Sequence, residues 1–515
     1  MPILKMIPLK NFRKYKAKQL GLVIFFHVFI ALIYLASASG ADLDDALMER
    51  VKSFTLKNGI RVLILERHFS PTASFYIRFR AGAAEEQEGK TGLAHLLEHM
   101  MFKGTKTIGG ISSVREEKLL REIGKTGETL ERERTKGERK DGQRIKALEK
   151  KLAALQKAHR RWYRSNEIDR LYAEAGAINI NASTSQDMIT YHVSLPANKA
   201  ELWARIEADR LANYVLREFY QEREVVKEER RQRIDADPDG LLFERFAATA
   251  FMVHPYRRPV IGWPDDIARL DMEDVDSFHR LAKVPRNMVI AIVGDIRINE
   301  MRRLLEKYFG VLPGQPAVFT PVATEPPPRG EKRITVHFDA GARMIMGFLK
   351  SPPPNREDYV FDVIEALLSR DRSSRFYRQL LETQGLAESV QAVNGLPGNR
   401  YPNLFCVFAS VRHPHKIDEL AAAVEKIIDD LAVEPVPAAE LEKVKNQLQA
   451  DFIRRQDSDE GLASLLSYYE ALLGDYRYLS SYGNQISTVT ADEIMAAARK
   501  YLNRDNRTVA IMTKD

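Results

Sequence analysis

The sequence predicts an α+β protein built from two similar domains, each a mainly antiparallel sheet packed with helices, with a helical hairpin inserted in the first. Length is the first ground: 515 residues exceed one ordinary domain, and 44% hydrophobic residues suffice for more than one core. A repeat is the second. Each half closes on an acidic helix start (Met272-Glu273-Asp274-Val275 and Ala491-Asp492-Glu493-Ile494), an Asn-containing turn and a buried strand. Those strands, Val-Ile-Ala-Ile from 289 and Thr-Val-Ala-Ile from 508, start 219 residues apart, which suggests two copies of one unit. Chance similarity is the competing explanation, since buried strands look alike in many folds. The third ground is the proline-rich stretch 313–328, which reads as a linker between the copies.

Residues 1–41 stand apart from the rest. Six basic residues and no acid precede an apolar run from Leu20 to Ala36, followed by the small residues Ala36-Ser37-Ala38-Ser39-Gly40-Ala41. This is the pattern of a cleaved signal peptide. The alternative is an uncleaved membrane anchor, because the run is long for a signal core and short for a comfortable span. Export follows from either, to the periplasm in a double-membraned bacterium, with an inner-membrane tether if the segment stays. A mitochondrial presequence fits worse, the segment being too continuously apolar for an amphipathic helix. Removing those six charges from the net +7 leaves +1, so no nucleic-acid or other polyanion partner is implied. Cys406 is the only cysteine and lies in Leu404-Phe405-Cys406-Val407-Phe408, so it reads as a core thiol; disulfides and cysteine-ligated zinc are excluded.

The first domain, 42–312, opens with a strand, a turn at Asn58-Gly59 and a second strand over 51–65, then a strand at 74–80, and ends with a strand at 288–293. A linker spans 313–330. The second domain, 331–515, restarts with strands at 333–337 and 344–349 and finishes with one at 508–512. Within the first domain, 113–167 is intensely charged. Ile145, Leu148, Leu152, Leu155 and Trp162 keep three- and four-residue spacings, and Lys136-Gly137 and Asp141-Gly142 mark a turn midway, so a projecting helical hairpin is expected. A solvated helix pair and a partner-binding or gating element are equally open for it.

The chemistry is concentrated in Thr91-Gly92-Leu93-Ala94-His95-Leu96-Leu97-Glu98-His99-Met100-Met101-Phe102. Good helix formers fill its body. On a helix His95 and His99 project side by side, close enough for two imidazole nitrogens to hold one ion, and Glu98 lies beside them without occupying a metal position. His-x-x-Glu-His is a known catalytic signature of zinc peptidases. A catalytic zinc typically has a third protein ligand. The charged helix expected at 222–231 offers carboxylates, but physics alone does not single one out. His254-Pro255-Tyr256 reads as a structural turn, and His68, His192 and His337 lack a partner at ligand spacing.

Beyond residue 50, and apart from the charged insert, the chain resembles the family of pitrilysin, insulin-degrading enzyme and the mitochondrial processing peptidase. The resemblance rests on His95-Leu96-Leu97-Glu98-His99 with Phe102-Lys103-Gly104-Thr105, on Ile180-Asn181-Ala182-Ser183-Thr184-Ser185 with Thr190-Tyr191, on the 222–229 helix and on His254-Pro255-Tyr256. It implies one zinc ion per chain and an endopeptidase acting on extended oligopeptides or unstructured polypeptides, with Glu98 activating a zinc-bound water. In the family the third ligand is a glutamate about 75 residues after the second histidine and seven beyond another acid, by resemblance alone. Glu222 and Glu229 match that pair, and the longer gap here is accounted for by the insert. Glu229 is thus the expected ligand, Glu222 a supporting carboxylate in the catalytic set, and Glu228 the rival ligand. Asn181 and Ala182 match the strand edge that holds substrate.

The family's active members also carry an arginine and a tyrosine seven apart in the second domain. Placed by Gly385-Leu386-Ala387, those positions hold Leu381 and Glu388, which cannot do that work. No second His-x-x-Glu-His follows residue 330, so the second domain is expected to be non-catalytic. The resemblance then implies a heterodimer whose partner supplies the missing pair, with a homodimer as the alternative. Two other functions compete: a non-catalytic scaffold or assembly subunit retaining the fold, and a peptide-binding module with a structural zinc.

Overall fold

The computed structural model of the protein describes residues 47–314 and 322–514. The leader 1–41 and linker residues 315–321 lie outside these. Among the described residues no helix is long and apolar enough to cross a membrane.

Two mixed, largely antiparallel sheets are packed with helices. The first comprises β1 (Lys52–Thr55), β2 (Arg61–Glu66), β3 (Thr72–Phe79), β4 (Ile178–Thr184), β5 (Ile189–Pro196) and β6 (Met288–Gly294), in the order β1-β2-β6-β3-β5-β4. The second comprises β7 (Lys332–His337), β8 (Arg343–Lys350), β9 (Ala387–Leu396), β10 (Asn403–Val411) and β11 (Arg507–Thr513), in the order β7-β11-β8-β10-β9. Without β1 the first sheet has the second's strand order. The senses match as well: β2–β6 and β7–β11 are the parallel pairs and the remaining neighbours are antiparallel.

The 219-residue offset extends to atomic detail. Helix Met272–Ala282 starts with a reciprocal cap between Asp271 and Asp274, and helix Ala491–Tyr501 with one between Thr490 and Glu493. A single 3₁₀ turn follows each, Pro285–Asn287 and Arg504–Asn506, before β6 and β11. Since the repeat covers cap, helix, turn and strand as well as sheet order, chance likeness of buried strands does not explain it.

The halves exchange helices. Helix Asp459–Leu473, from the second half, covers β3 and β6 of the first sheet, while helix Pro238–Ala250, from the first half, covers β7, β8 and β11 of the second. Polar pins accompany the first contact: the buried Arg78 guanidinium donates to Ser467 Oγ and Thr190 Oγ1, both at 2.8 Å, and Arg61 pairs with Glu470 at 2.9 Å. The second contact is so close that a Cβ on Gly347 would stand 2.4 Å from the Phe246 ring. Cys406 is fully buried in the same layer.

The charged segment forms two helices, Ser113–Arg134 and Gly142–His159, joined through the 3₁₀ turn Gly137–Arg139. Asp141 caps the second by accepting from Gln143 N and Arg144 N. Leu152 is buried, with Ile145, Leu148 and Leu155 packed beside it against the first core.

Gly347→Ala drives a methyl into the Phe246 ring, and overpacking of this kind costs about 1–3 kcal/mol. A denaturant titration should show that loss, while Phe246→Leu in the same background should recover part of it.

Candidate metal centre

Helix Leu93–Met100 has eight residues, too few to be stable alone in water. Its start is held from outside. Glu86, buried, accepts from Gly92 N at 3.0 Å and Ala94 N at 2.7 Å, satisfying two N–H groups of the first turn. Thr91 Oγ1 donates to Asp266 at 2.7 Å and accepts from Trp263 N at 2.8 Å. Gly92 (φ 90°) and Gly262 (φ 94°) lie back to back; a Cβ on Gly92 would meet Ile261 O at 2.6 Å, and one on Gly262 would meet Thr91 O at 2.5 Å. Both the left-handed backbone and the close approach require glycine.

Glu229 comes from helix Phe219–Arg230. The next residue, Arg230, is buried and locks the helix end by donating to Glu244 at 2.7 and 3.1 Å and to Gly262 O at 2.8 Å. The glycine contact that seats the histidine helix thus also seats the glutamate helix.

His95 Nε2 lies 3.6 Å from Glu229 Oε1 and His99 Nε2 3.5 Å from Glu229 Oε2, with the two imidazole centroids 4.7 Å apart. One donor atom from each residue lies within 4.8 Å of the others, and among the described residues this is the group that could hold a metal ion. Donors about 2.0–2.1 Å from a tetrahedral zinc are separated by roughly 3.4 Å, so the spacing fits that ion. Burial, the neighbouring His99 and Arg233 lower the His95 pKa to about 3, which leaves the imidazole neutral with a lone pair to offer a cation. His99 Nδ1 lies 3.3 Å from Glu222 Oε2, the outer-carboxylate arrangement that orients a ligating imidazole. Burial raises the Glu222 pKa, but hydrogen bonds from His99 and Lys103 outweigh it, and the net shift is downward.

Glu98 stands next to this group without belonging to it and accepts from the Thr184 hydroxyl. Burial raises its pKa against that bond. Glu228, the rival ligand, instead faces solvent and pairs with Arg231 at 2.7 Å. Asn181 and Ala182 lie on β4, the outermost strand beyond β5, with Asn181 Oδ1 accepting from Ala182 N at 2.9 Å. A cavity of about 750 Å³ opens over His95, Glu98, His99, Glu229, Thr184, Asn181 and Ala182, and Phe243, Ile234 and, from the second half, Leu396 and Pro397 supply its apolar wall. Leu381 and Glu388 do not line it. The His254-Pro255-Tyr256 segment is structural: Tyr256 is buried and donates to Asp187 Oδ1 at 2.5 Å, while Asp187 Oδ2 accepts from Asn399 N at 2.6 Å, joining the halves behind the cavity.

Sequence reasoning missed Glu86, Thr184 and Arg233, the last of which donates to Glu229 Oε1 at 2.8 Å. Arg233 had a signal, lying four residues after Glu229 on a helical path. Glu86 had none, and Thr184, though inside the 180–185 segment, gave no sign of its contact with Glu98, because the loop and strand that deliver them are placed by the fold.

The sheets, the inverted histidine–glutamate helix and the convergent donor set have the form of a metal-dependent peptidase. The chain belongs to the insulinase family, peptidase family M16: the family profile matches residues 61–135 and 154–263, and the profile of the M16 inactive domain matches 269–448. Residues 136–153, at the hairpin tip and in its second helix, fall outside the match. The chain is 26% identical to zinc protease PqqE of Helicobacter pylori over 471 residues, 90% of this chain and 92% of that protein. A crystal structure of a protease from the same organism superposes with a TM-score of 0.76 at 25% identity, over 90% of this chain and 99% of that one. The periplasmic protease PqqL of Escherichia coli shares the fold, with a TM-score of 0.66 at 16% identity; the match spans 91% of this chain and 48% of that one.

Glu86→Ala strands two buried N–H groups at the start of the histidine helix, at a cost of about 1–3 kcal/mol for each unsatisfied group. Urea unfolding should register the loss, and Glu86→Gln, which keeps one acceptor oxygen, should lose less.

Proposed function

We propose that the protein is a zinc endopeptidase that cleaves extended oligopeptides or unstructured polypeptides. The observation that carries this reading is the meeting of His95, His99 and Glu229 at one point of the cavity, with Glu98 beside them and the β4 edge along the same wall. Bound there, zinc would supply a Lewis acid for the scissile carbonyl and a lowered pKa for water. His95 and His99 present their Nε2 atoms, and Glu222 fixes the orientation of His99. Glu98 takes a proton from the attacking water and passes it to the leaving amine, the general-base and general-acid roles of one carboxylate. Thr184 holds that carboxylate in place.

Substrate is held by backbone pairing. On β4, the outermost strand of the sheet, the Ala182 N–H donates to the Asn181 side chain, and an extended peptide could replace that amide and add as a further strand. This mode favours flexible chains over folded ones.

Export belongs to the same reading, carried by the 1–41 pattern and by a fold neighbour described as periplasmic. So does a second family subunit. Leu381 and Glu388 occupy the positions of the family's arginine and tyrosine, and the Escherichia coli neighbour has about twice the matched length in one chain. A partner chain that closes the cavity and brings that pair would do in two chains what a longer protein does in one.

Quenched-peptide hydrolysis by the zinc-loaded chain, alone and with candidate family partners, tests the proposal. Glu98→Gln should cost about 10²–10⁴-fold in kcat with zinc content unchanged, and His95→Ala should lose the zinc. Cleavage that survives Glu98→Gln would sink the mechanism, and cleavage by the lone chain would remove the need for a partner. Ala182→Pro, which deletes the N–H now held by Asn181, should lower kcat/KM by about tenfold, the worth of one hydrogen bond to bound substrate, and leave zinc content near that of the parent.

A further inference from the structure

The helical hairpin rests on residues that lead directly to a candidate metal ligand. Its two roots converge on Arg217 and Glu218, which open the glutamate helix. At the first root, Glu116 pairs with the fully buried Arg217 at 2.6 and 2.9 Å, and His159, from the end of the second hairpin helix, lies 3.2 Å from the same carboxylate. Arg217 also donates to the carbonyls of Lys103, Thr105 and Ile108 at 3.1, 2.7 and 2.9 Å, fixing the loop that leaves the histidine helix. At the second root, Tyr163, Arg160 and Ser165 donate to Glu218 Oε1 at 2.9, 3.3 and 3.4 Å.

Glu218 passes the connection on. Its other oxygen accepts from Lys103 Nζ at 3.4 Å, Lys103 also donates to Glu222 Oε1, and Glu222 Oε2 meets His99 Nδ1. The path from hairpin to imidazole is continuous, and its charges alternate. A second observation marks Glu218. It holds φ 60°, ψ 20°, a left-handed conformation that costs a non-glycine residue backbone energy and persists where the surroundings enforce it. Here four donors enforce it. Independently, the first hairpin helix lies against the glutamate helix: Glu131 pairs with Arg223 at 2.9 Å, and a Cβ on Gly127 would overlap the Tyr220 hydroxyl.

We infer that Lys103 and Glu218 are positioning residues through which the seated hairpin sets the orientation of His99, and so the affinity of the centre for zinc. The inference rests on the metal reading of His95, His99 and Glu229. The hairpin thereby has a function at the centre beyond that of a solvated appendage, and whatever displaces it alters the metal.

The test is competition for Zn²⁺ between the full chain and a chromophoric chelator. Lys103→Met frees Glu222 and should weaken zinc binding by about 10–100-fold, as losses of outer hydrogen-bond partners do. Lys103→Arg, which restores a donor, should recover most of it. Glu218→Gly keeps the left-handed backbone without strain and removes the side chain with its carboxylate; zinc affinity should fall several-fold at temperatures where the zinc-free variant is still fully folded. A purely structural role predicts a lower melting temperature with parental zinc affinity. Tyr163→Phe should weaken zinc in the parent and do nothing further in Lys103→Met, since a shared path makes the two non-additive. Parental zinc affinity in all these variants would overturn the inference and leave the centre standing. A parent chain that binds no zinc, or whose zinc survives His95→Ala, would overturn the metal reading and the inference together.

Discussion

The centre depends on the satisfaction of a helix start. Two histidines four residues apart are useful only if the single turn between them is helical, and an eight-residue helix does not hold that conformation alone. Glu86 supplies the acceptor for the first N–H groups, and the meeting of Gly92 with Gly262 fixes where the helix begins. The contact is shared, because Arg230 grips Gly262 O and Glu244 from the neighbouring helix. The distance from the imidazoles to Glu229 is therefore set by backbone against backbone and by a buried ion pair.

The cavity follows from how the halves meet. Each sheet is covered by a helix of the other half, so neither can shift without uncovering the other's core. Asp187 adds a polar clasp by accepting from Tyr256 and from the Asn399 backbone. Leu396 and Pro397 are thereby brought to the wall of a site whose chemistry belongs to the first half.

Much of this was legible in the sequence where local chemistry decides the outcome. The strands expected within 51–65 and at 288–293, 344–349 and 508–512 announce themselves as apolar runs bounded by turn residues, and the shared ending of the halves was visible in the strands and acidic helix starts. His95, Glu98 and His99 were legible because one helix carries all three. Glu229 was not separable from Glu228 by physics alone. Adjacent helical residues point about 100° apart, and only the packing of Arg230 decides which of them faces inward. Glu86 and Thr184 reach the centre through tertiary placement and leave no periodic trace. The helix exchange was equally invisible, since the apolar face of helix Pro238–Ala250 does not record which sheet it covers.

That exchange has a consequence for how such a chain came to be one molecule. Two copies of a single unit, each lending the same helix to the other's sheet, form a domain-swapped pair, held together by reciprocity and dependent on concentration. Joining the copies by a short proline-rich segment turns that encounter into an intramolecular one at millimolar effective concentration. Once assembly no longer depends on identical surfaces, the copies are free to diverge. One copy keeps its inverted histidine–glutamate helix, while in the other, helix Arg356–Ser369 carries Asp358, Asp362 and Glu365 and binds Lys350 through Asp358. The lending of a helix, which in two separate copies would hold a symmetric pair, here ties two unlike halves into one molecule.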